Sequence, residues 1–347
     1  MYFPKFFLLL LTACALLLAS CASDNEGRQV AIAFYNCENF FDPADNPAKD
    51  DDEFTPQGKY HYTQKIYEQK LHNIATVLQT MNSGAGPAII GLAEIENNTV
   101  LTDLVQQPEI ARRNYKYEWY DGPDPRGINV ALVYDPARFV MLRSEALSVD
   151  LSGIEGKSHT RDVLYVYGIL NGDTVHVFVN HWPSRKGGEG ETDAKRVMAA
   201  RVNRNTIDGI VKNDPNAKVI VMGDFNDNPG DVSMATRLGA MAEQTAVAVA
   251  DLYNPWASLY KSGQGTECFG GKWNLFDQVL ISGSLLKNAN HKLQYEKAEI
   301  FRPDFITDHY KGHDGEPHRS YAGTHWINGY SDHFPVILYL TYSKPGN

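Results

Sequence analysis

Positive charge is scarce in this chain: 32 Lys and Arg stand against 42 Asp and Glu, for a net charge of −10 over 347 residues. Bulk composition therefore excludes a protein that recruits polyanions non-specifically, although a local Arg or a metal can still meet a phosphate. Cysteine is scarcer, at four residues, and two of them, Cys14 and Cys21, lie in the first 21 positions. Cys37 and Cys268 alone remain for the fold, too few for a disulfide framework, and their distance in sequence leaves pairing open. Gly/Ser-rich or Pro-rich linkers, internal repeats and low-complexity tracts are all missing, which argues for one domain over residues 30–343.

Long apolar runs are missing too, apart from Phe6–Leu18 at the start. Lys5, that apolar core and Ala19-Ser20 describe a secretory signal peptide over residues 1–20, and the run is too short to span a bilayer comfortably. Leu18-Ala19-Ser20-Cys21 resembles a bacterial lipobox, which implies a lipidated Cys21 followed by a polar tether over 21–29. Loss of Lys5 with the leader takes the net charge from −10 to −11.

What the sequence does have is a series of short β-rich runs, at Val30–Tyr35, Ala88–Ala93, Ile128–Tyr134, Val163–Leu170, Thr174–Val179, Val219–Met222, Phe276–Ile281 and Val336–Thr341. Thr63–Met81 and Asp193–Lys212 carry apolar residues at helical spacing. Strands near both ends with helices between them predict a layered α/β fold with mixed sheets.

Ionisable and amide residues cluster where these strands begin or end. V-I-V-M-G-D-F-N-D-N-P (219–229) discharges an aliphatic run into Asp224, Asn226, Asp227 and Asn228. A turn explains this, because Asp and Asn bond their own backbone. An EF-hand does not, because Pro229 and Ala235 stand where it needs Gly and Glu. A site at the carboxyl end of a central strand is the third reading. Asn36, Glu94, His181, Asp277, Asp332 and His333 sit at other strand ends, and their convergence would build one site of acids, amides and two histidines.

In order, F-Y-N-C-E-N, G-L-A-E-I-E-N, N-H-W-P-S, G-D-F-N-D, F-D-Q-V-L and S-D-H-F-P resemble the endonuclease/exonuclease/phosphatase superfamily from about Val30 to Thr341. The resemblance implies a four-layer α/β/β/α sandwich of two packed mixed sheets flanked by helices. It implies hydrolysis of a phosphate ester with one or two Mg²⁺ or Mn²⁺ ions. Glu94 matches the carboxylate metal ligand, with Asn36 beside it and Asp332 as a further acid. Asp224 matches the acid that takes the attacking water's proton, and Asn226 the amide that holds water or phosphate in line. His333 matches the histidine that bonds the phosphoryl oxygen, oriented by Asp277. His181 stands where the deoxyribonuclease branch has a histidine assisting the leaving group. Arg161 and Arg126 are candidates to grip phosphate, with Arg185 behind them. Asn129 departs from the Asp that relatives often show as a partner for His181, which weakens that role.

The resemblance thus points to a nuclease-like phosphodiesterase acting on a phosphate ester, DNA or RNA among them. A phospholipid-headgroup or small-molecule esterase on the same fold is the alternative. A binding protein on a degenerate scaffold would have lost some of these groups, and none is missing. Ser23-Asp24-Asn25-Glu26 resembles the acidic export tag of some Bacteroidetes lipoproteins, so the expectation is a lipid-anchored, outer-membrane and surface-exposed monomer. His309, His313, His318 and His325 fit no zinc-site spacing and are read as an aromatic, histidine-bearing loop at the site mouth.

Overall fold

The computed structural model describes residues 28–154, 159–286 and 293–342. The leader (1–20), Cys21 and residues 22–27 of the expected tether lie outside the described residues. The first strand begins at Arg28, two residues before the expected domain start. Among the described residues no helix is long and apolar enough to cross a membrane.

The strands are β1 (Arg28–Phe40), β2 (Ile89–Ile95), β3 (Lys116–Trp119), β4 (Asn129–Tyr134), β5 (Phe139–Leu147), β6 (Val163–Leu170), β7 (Asp173–His181), β8 (Val219–Asp224), β9 (Ala240–Met241), β10 (Leu252–Tyr253), β11 (Glu267–Phe269), β12 (Lys272–Asn274), β13 (Asp277–Ser282), β14 (Gln294–Ile300), β15 (Tyr321–Ala322), β16 (His325–Trp326) and β17 (Val336–Tyr342). The α-helices are α1 (Gln64–Thr80), α2 (Asn98–Val105), α3 (Glu189–Asn213) and α4 (Trp256–Lys261). One sheet runs β14-β17-β1-β2-β4-β3 and the other β5-β6-β7-β8-β13-β10-β9. Both are mixed, because β1–β2 and β7–β8 pair in parallel while most other neighbours are antiparallel.

The aliphatic runs are continuous because both faces of each central strand are buried. In β1, Val30, Ile32 and Phe34 point between the sheets, while Ala31, Ala33 and Tyr35 point to a second core shared with α1 and α2. In β8, Ile220 and Met222 join the inter-sheet core, and Val219 and Val221 join a third core under α3. Three cores separate four layers, which is the expected α/β/β/α sandwich. The sheets approach closely at Gly91, where an added Cβ would lie 2.5 Å from Met222 Sδ and 2.9 Å from Phe34 Cδ2.

Helix α1 is started by Thr63, whose Oγ1 accepts from Ile66 N–H (3.4 Å). Three sizeable strands carry no signal in the sequence reading: β3, β5 and β14. Each is the edge of a large sheet, half exposed and charged, as in Q-Y-E-K-A-E-I of β14. Edges are kept polar against further pairing, and that removes the hydrophobic alternation by which strands are read.

Candidate active site

The parallel strands β1 and β2 of one sheet and β7 and β8 of the other end at the same edge of the sandwich, where antiparallel β13 and β17 begin. Register then aligns the site. His181 pairs with Asp224 across β7–β8, and Asp224 pairs with Asp277 across β8–β13, so one row reads His181, Asp224, Asp277. Gly223 permits the close approach of β7, since a Cβ there would sit 2.5 Å from Asn180 O. Two carboxylates directly opposite each other are unfavourable. The compensation is His333, whose Nδ1 lies 2.7 Å from Asp277 Oδ2. His333 is delivered by the loop before β17, which Ser331 fastens: its Oγ donates to Asn36 O (2.7 Å) and accepts from His333 N–H (3.1 Å).

The facing sheet supplies Asn36 and Glu94. Asn36 Nδ2 donates to Asp224 Oδ2 across the sheet interface (3.0 Å). Glu94 lies on a bulge between Ala93 and Ile95 and has a left-handed backbone, φ 61°. A non-glycine residue held there costs about 1–3 kcal/mol, and the bulge turns its side chain out of the normal alternation. Asn39 N–H anchors Glu94 Oε2 (2.6 Å), and Glu94 Oε1 stands 3.9 Å from His181 Nε2, which is 3.6 Å from Asp224 Oδ2. Asn226 is also left-handed (φ 50°); its N–H donates to Asp224 Oδ1 (2.9 Å) and its Nδ2 to Trp182 O (3.0 Å).

The two histidines are driven to opposite states. Burial lowers the pKa of His333, but the charges of Asp277, Asp224 and Asp332 and the Asp277 hydrogen bond outweigh it, so the imidazolium is held well above its ordinary range. His181 is pushed well down by burial and by the cations of Arg161, Arg126 and His333, and is neutral. Burial, partly opposed by the charge of His333, raises Asp224 to about 7. Such divergence between neighbouring groups is what acid–base chemistry at neutral pH requires. Asp332, partly exposed, keeps Oδ1 4.0 Å from His333 Nε2.

The two arginines differ. Arg161 is buried and engaged: it donates to His181 O (3.1 Å) and Trp182 O (2.6 Å) and pairs with Asp124 (2.9 Å). Its evident work is to fix the β7 end that carries His181. Arg126 is about half exposed, donates to Asn39 Oδ1 and stands 4.0 Å from Glu94 Oε2. Arg185 ties Asp227, Asp231 and Glu189 to the Asn226 carbonyl. Asp227 also pairs with Arg196 (2.8 Å), and Asn228 Oδ1 accepts from Leu275 N–H (2.8 Å), so both shape the bend after β8.

Asn129 has a different place from the one its sequence position suggested. Its Oδ1 accepts from Gly122 N–H (2.8 Å), and its Nδ2 donates to Glu96 O (3.2 Å) and Gly127 O (3.1 Å). Two carbonyl acceptors demand an amide donor, which a carboxylate cannot supply. His181 Nδ1 has no hydrogen-bond partner among the described residues. Cys37 and Cys268 are both free and buried. The histidine loop forms separate acid pairs, His318–Asp308 (2.5 Å), His313–Glu316 (2.8 Å) and His309–Asp314 (3.6 Å), rather than a common cluster.

Two residues escaped the sequence reading. Glu38 is buried beside Asn36, raised to about 7 by burial and by Asp332, and accepts from Ser320 N–H (2.7 Å). Lys70 of α1 is 1% exposed and donates to Glu38 O (2.7 Å), Ser320 Oγ (2.5 Å) and Tyr330 O (3.3 Å). Glu38 was visible inside the F-Y-N-C-E-N motif. Lys70 gave no signal, because a polar position on an amphipathic helix reads as solvent-facing.

The donor set fits a hard divalent cation. Glu38, Glu94, Asp224, Asp277 and Asp332 crowd one end of the sandwich, and oxygen ligands are what Mg²⁺ and Mn²⁺ take. Glu94 Oε1 accepts no hydrogen bond among the described residues, and Asn36 Oδ1 accepts only from Glu38 N–H (3.0 Å). Asp224, Asp277 and His333 also offer ligand atoms within 4.8 Å of one another. His333 Nδ1 is taken by Asp277, however, and an imidazolium has no lone pair to give, so this trio is suited to holding a proton.

The profile of the Endonuclease/Exonuclease/phosphatase family matches residues 31–342. No curated protein matches the sequence significantly. Among solved structures, an endonuclease/exonuclease/phosphatase family protein of Bacteroides thetaiotaomicron is similar at 16% identity and a TM-score of 0.58, over 92% of this chain and 100% of its own. A mannosyl-6-phosphatase from the same species is similar at 17% identity and 0.55, over 90% of this chain and 100% of its own. D. rerio TDP2, solved with a single-strand DNA product, is similar at 14% identity and 0.56, over 90% and 99%. With the profile covering nearly all of the described fold, the chain belongs to the endonuclease/exonuclease/phosphatase family and is a phosphoric ester hydrolase.

Proposed function

We propose that this chain is a divalent-metal-dependent phosphodiesterase with nuclease-like specificity. The observation that carries the reading is the aligned row His181–Asp224–Asp277, capped by a cationic His333 at one end and faced by Glu94 at the other. Glu94, with Asn36 and Asp332, would hold Mg²⁺ or Mn²⁺, which when bound neutralises charge on the phosphoryl oxygens and aligns the attacking water.

The protein's own groups divide the remaining work. Asp224, buried and raised to about 7, is matched to take the water's proton near neutral pH. Asn36 Nδ2 and Asn226 N–H hold its two oxygens and fix the direction of transfer. His333, its Nδ1 committed to Asp277, can present Nε2–H to a phosphoryl oxygen and stabilise the charge that develops there. His181, neutral and close to both Asp224 and Glu94, can bond the leaving oxygen. Arg161 positions that histidine through its carbonyl. The lipobox resemblance supports an envelope-tethered enzyme, with Cys21 as the anchor.

The test is a substrate panel on the soluble form that starts after Cys21. Single- and double-stranded DNA, RNA, bis-p-nitrophenyl phosphate, sphingomyelin and sugar phosphates would be assayed with Mg²⁺ or Mn²⁺. Diester cleavage lost in Asp224→Ala and His333→Ala supports the proposal. Turnover of phosphomonoesters alone would replace it with a small-molecule phosphatase.

A further inference from the structure

A groove of about 850 Å³ opens beside the site. Asn39 and Arg126, which flank Glu94, are part of its lining, so the groove adjoins the reaction centre. The connection from β7 to α3 also lines it, with Lys186 before the helix and Lys195 two turns into it. Its size suits a nucleotide-sized ligand rather than a lone phosphate.

The charges in the groove are not all balanced. Lys59 pairs with Glu53 (3.0 Å) and Arg161 with Asp124 (2.9 Å). Lys186 and Lys195 make no ion pair with any described residue, although the chain as a whole carries a net charge of −10. Asp50 in the same lining is unpaired as well, so the groove carries five Lys and Arg against three acids, an excess that lowers the cost of bringing an anion there. Phe41, Phe54 and Tyr60 also line the groove, but they stack on one another, with ring centroids 4.4 and 4.6 Å apart, and Phe41 and Phe54 are buried in the core, so they stiffen the wall.

Resting on the phosphodiesterase reading, we propose that Lys186 and Lys195 are specificity-determining residues that hold a second phosphate of the substrate, beyond the scissile one. The substrate class is then an oligonucleotide strand. An ester with a single phosphate would leave these two lysines unused.

The experiment compares a thymidine octamer, with two phosphates or more in reach, against thymidine 5′-(p-nitrophenyl phosphate), which has one. Lys186→Gln/Lys195→Gln is the test variant, and Lys212→Gln, exposed at the far end of α3, is the control for loss of a lysine outside the groove. The double variant is expected to raise KM for the octamer roughly tenfold or more with kcat within about twofold, and to flatten its log KM–log salt slope by about 0.7, the single-strand weight of one phosphate. KM for the single-phosphate ester and the Lys212→Gln enzyme are expected to stay within about twofold of wild type. Equal KM changes for both substrates, or none for either, would overturn the proposal, as would a wild type that prefers a sugar phosphate whose KM shifts as much. Anisotropy titration of a labelled octamer in a chelator decides the case without catalysis. Binding lost in the double variant supports the groove even if the hydrolytic reading fails. Unchanged binding sinks the groove even where the single-phosphate ester is cleaved normally.

Discussion

Asp224→Asn should make the protein more stable and inactive, and the gain should depend on pH. Asp224 is 2% exposed, and its pKa rises from 3.8 to about 7. A shift of about three units corresponds to roughly 4 kcal/mol. The sign follows from proton linkage. Below about pH 4 the carboxyl is protonated in both states and nothing is lost. As pH rises, the unfolded chain ionises first, so the native state is progressively penalised until pH passes about 7. The amide substitution removes that penalty but introduces another. Asp224 accepts from both Asn36 Nδ2 (3.0 Å) and Asn226 N–H (2.9 Å). An amide has one acceptor, so one donor is left facing another, at about 1–3 kcal/mol. The net expectation is a gain of about 1–3 kcal/mol above pH 8 that is absent at pH 4.5. Urea denaturation in a chelator at pH 4.5, 7 and 8.5 would measure it. A pH-independent loss of stability in the variant would refute the reasoning. Phosphodiester hydrolysis should fall by about 10²–10⁴-fold, the usual weight of a positioned base.

Asp277→Asn removes the carboxylate that keeps His333 charged, so burial should take over and pull the imidazolium pKa down. In wild type the stability from His333 is full below its unfolded pKa and lost as pH rises through its raised folded value; in the variant that loss and the alkaline limb of the pH–rate profile should move down by at least about one unit, and an unmoved limb would argue against the pair. Lys70→Met leaves the buried Glu38 O, Ser320 Oγ and Tyr330 O without their donor and takes a positive charge away from Glu38, so it should cost about 1–3 kcal/mol in chemical denaturation, whereas a neutral result would mean the lysine is dispensable. Gly223→Ala drives a methyl into Asn180 O and should separate β7 from β8, with a loss of about 1–3 kcal/mol by denaturation and a matching fall in kcat rather than KM.

The parts of this molecule legible in sequence were those where burial is two-sided and chemistry is local. Each central strand read as an aliphatic run because two cores claim alternate residues, as in Val30–Phe34, and the runs of β1, β2, β7 and β8 ended at or next to the polar residue they deliver to the site. The edge strands β3, β5 and β14 were illegible because their half-exposed, charged sequences carry no alternation. In the site, register brought His181, Asp224 and Asp277 into one row, a relation no linear spacing contains. Lys70 was hidden for the opposite reason: its partners are a carbonyl and a hydroxyl more than 30 and 200 residues away, and only the tertiary fold makes it a buried cation. Asn129 misled because a position was matched by chemistry in relatives while its neighbours here, Gly122 and Gly127, require an amide.

The most direct test of the central claim is steady-state hydrolysis of bis-p-nitrophenyl phosphate by wild type, Asp224→Asn and His333→Gln, each with Mg²⁺ or Mn²⁺ and again in excess chelator. The account predicts turnover by wild type that needs the cation and falls at least about 10²-fold in either variant while both remain folded. Undiminished turnover in folded Asp224→Asn and His333→Gln would contradict it.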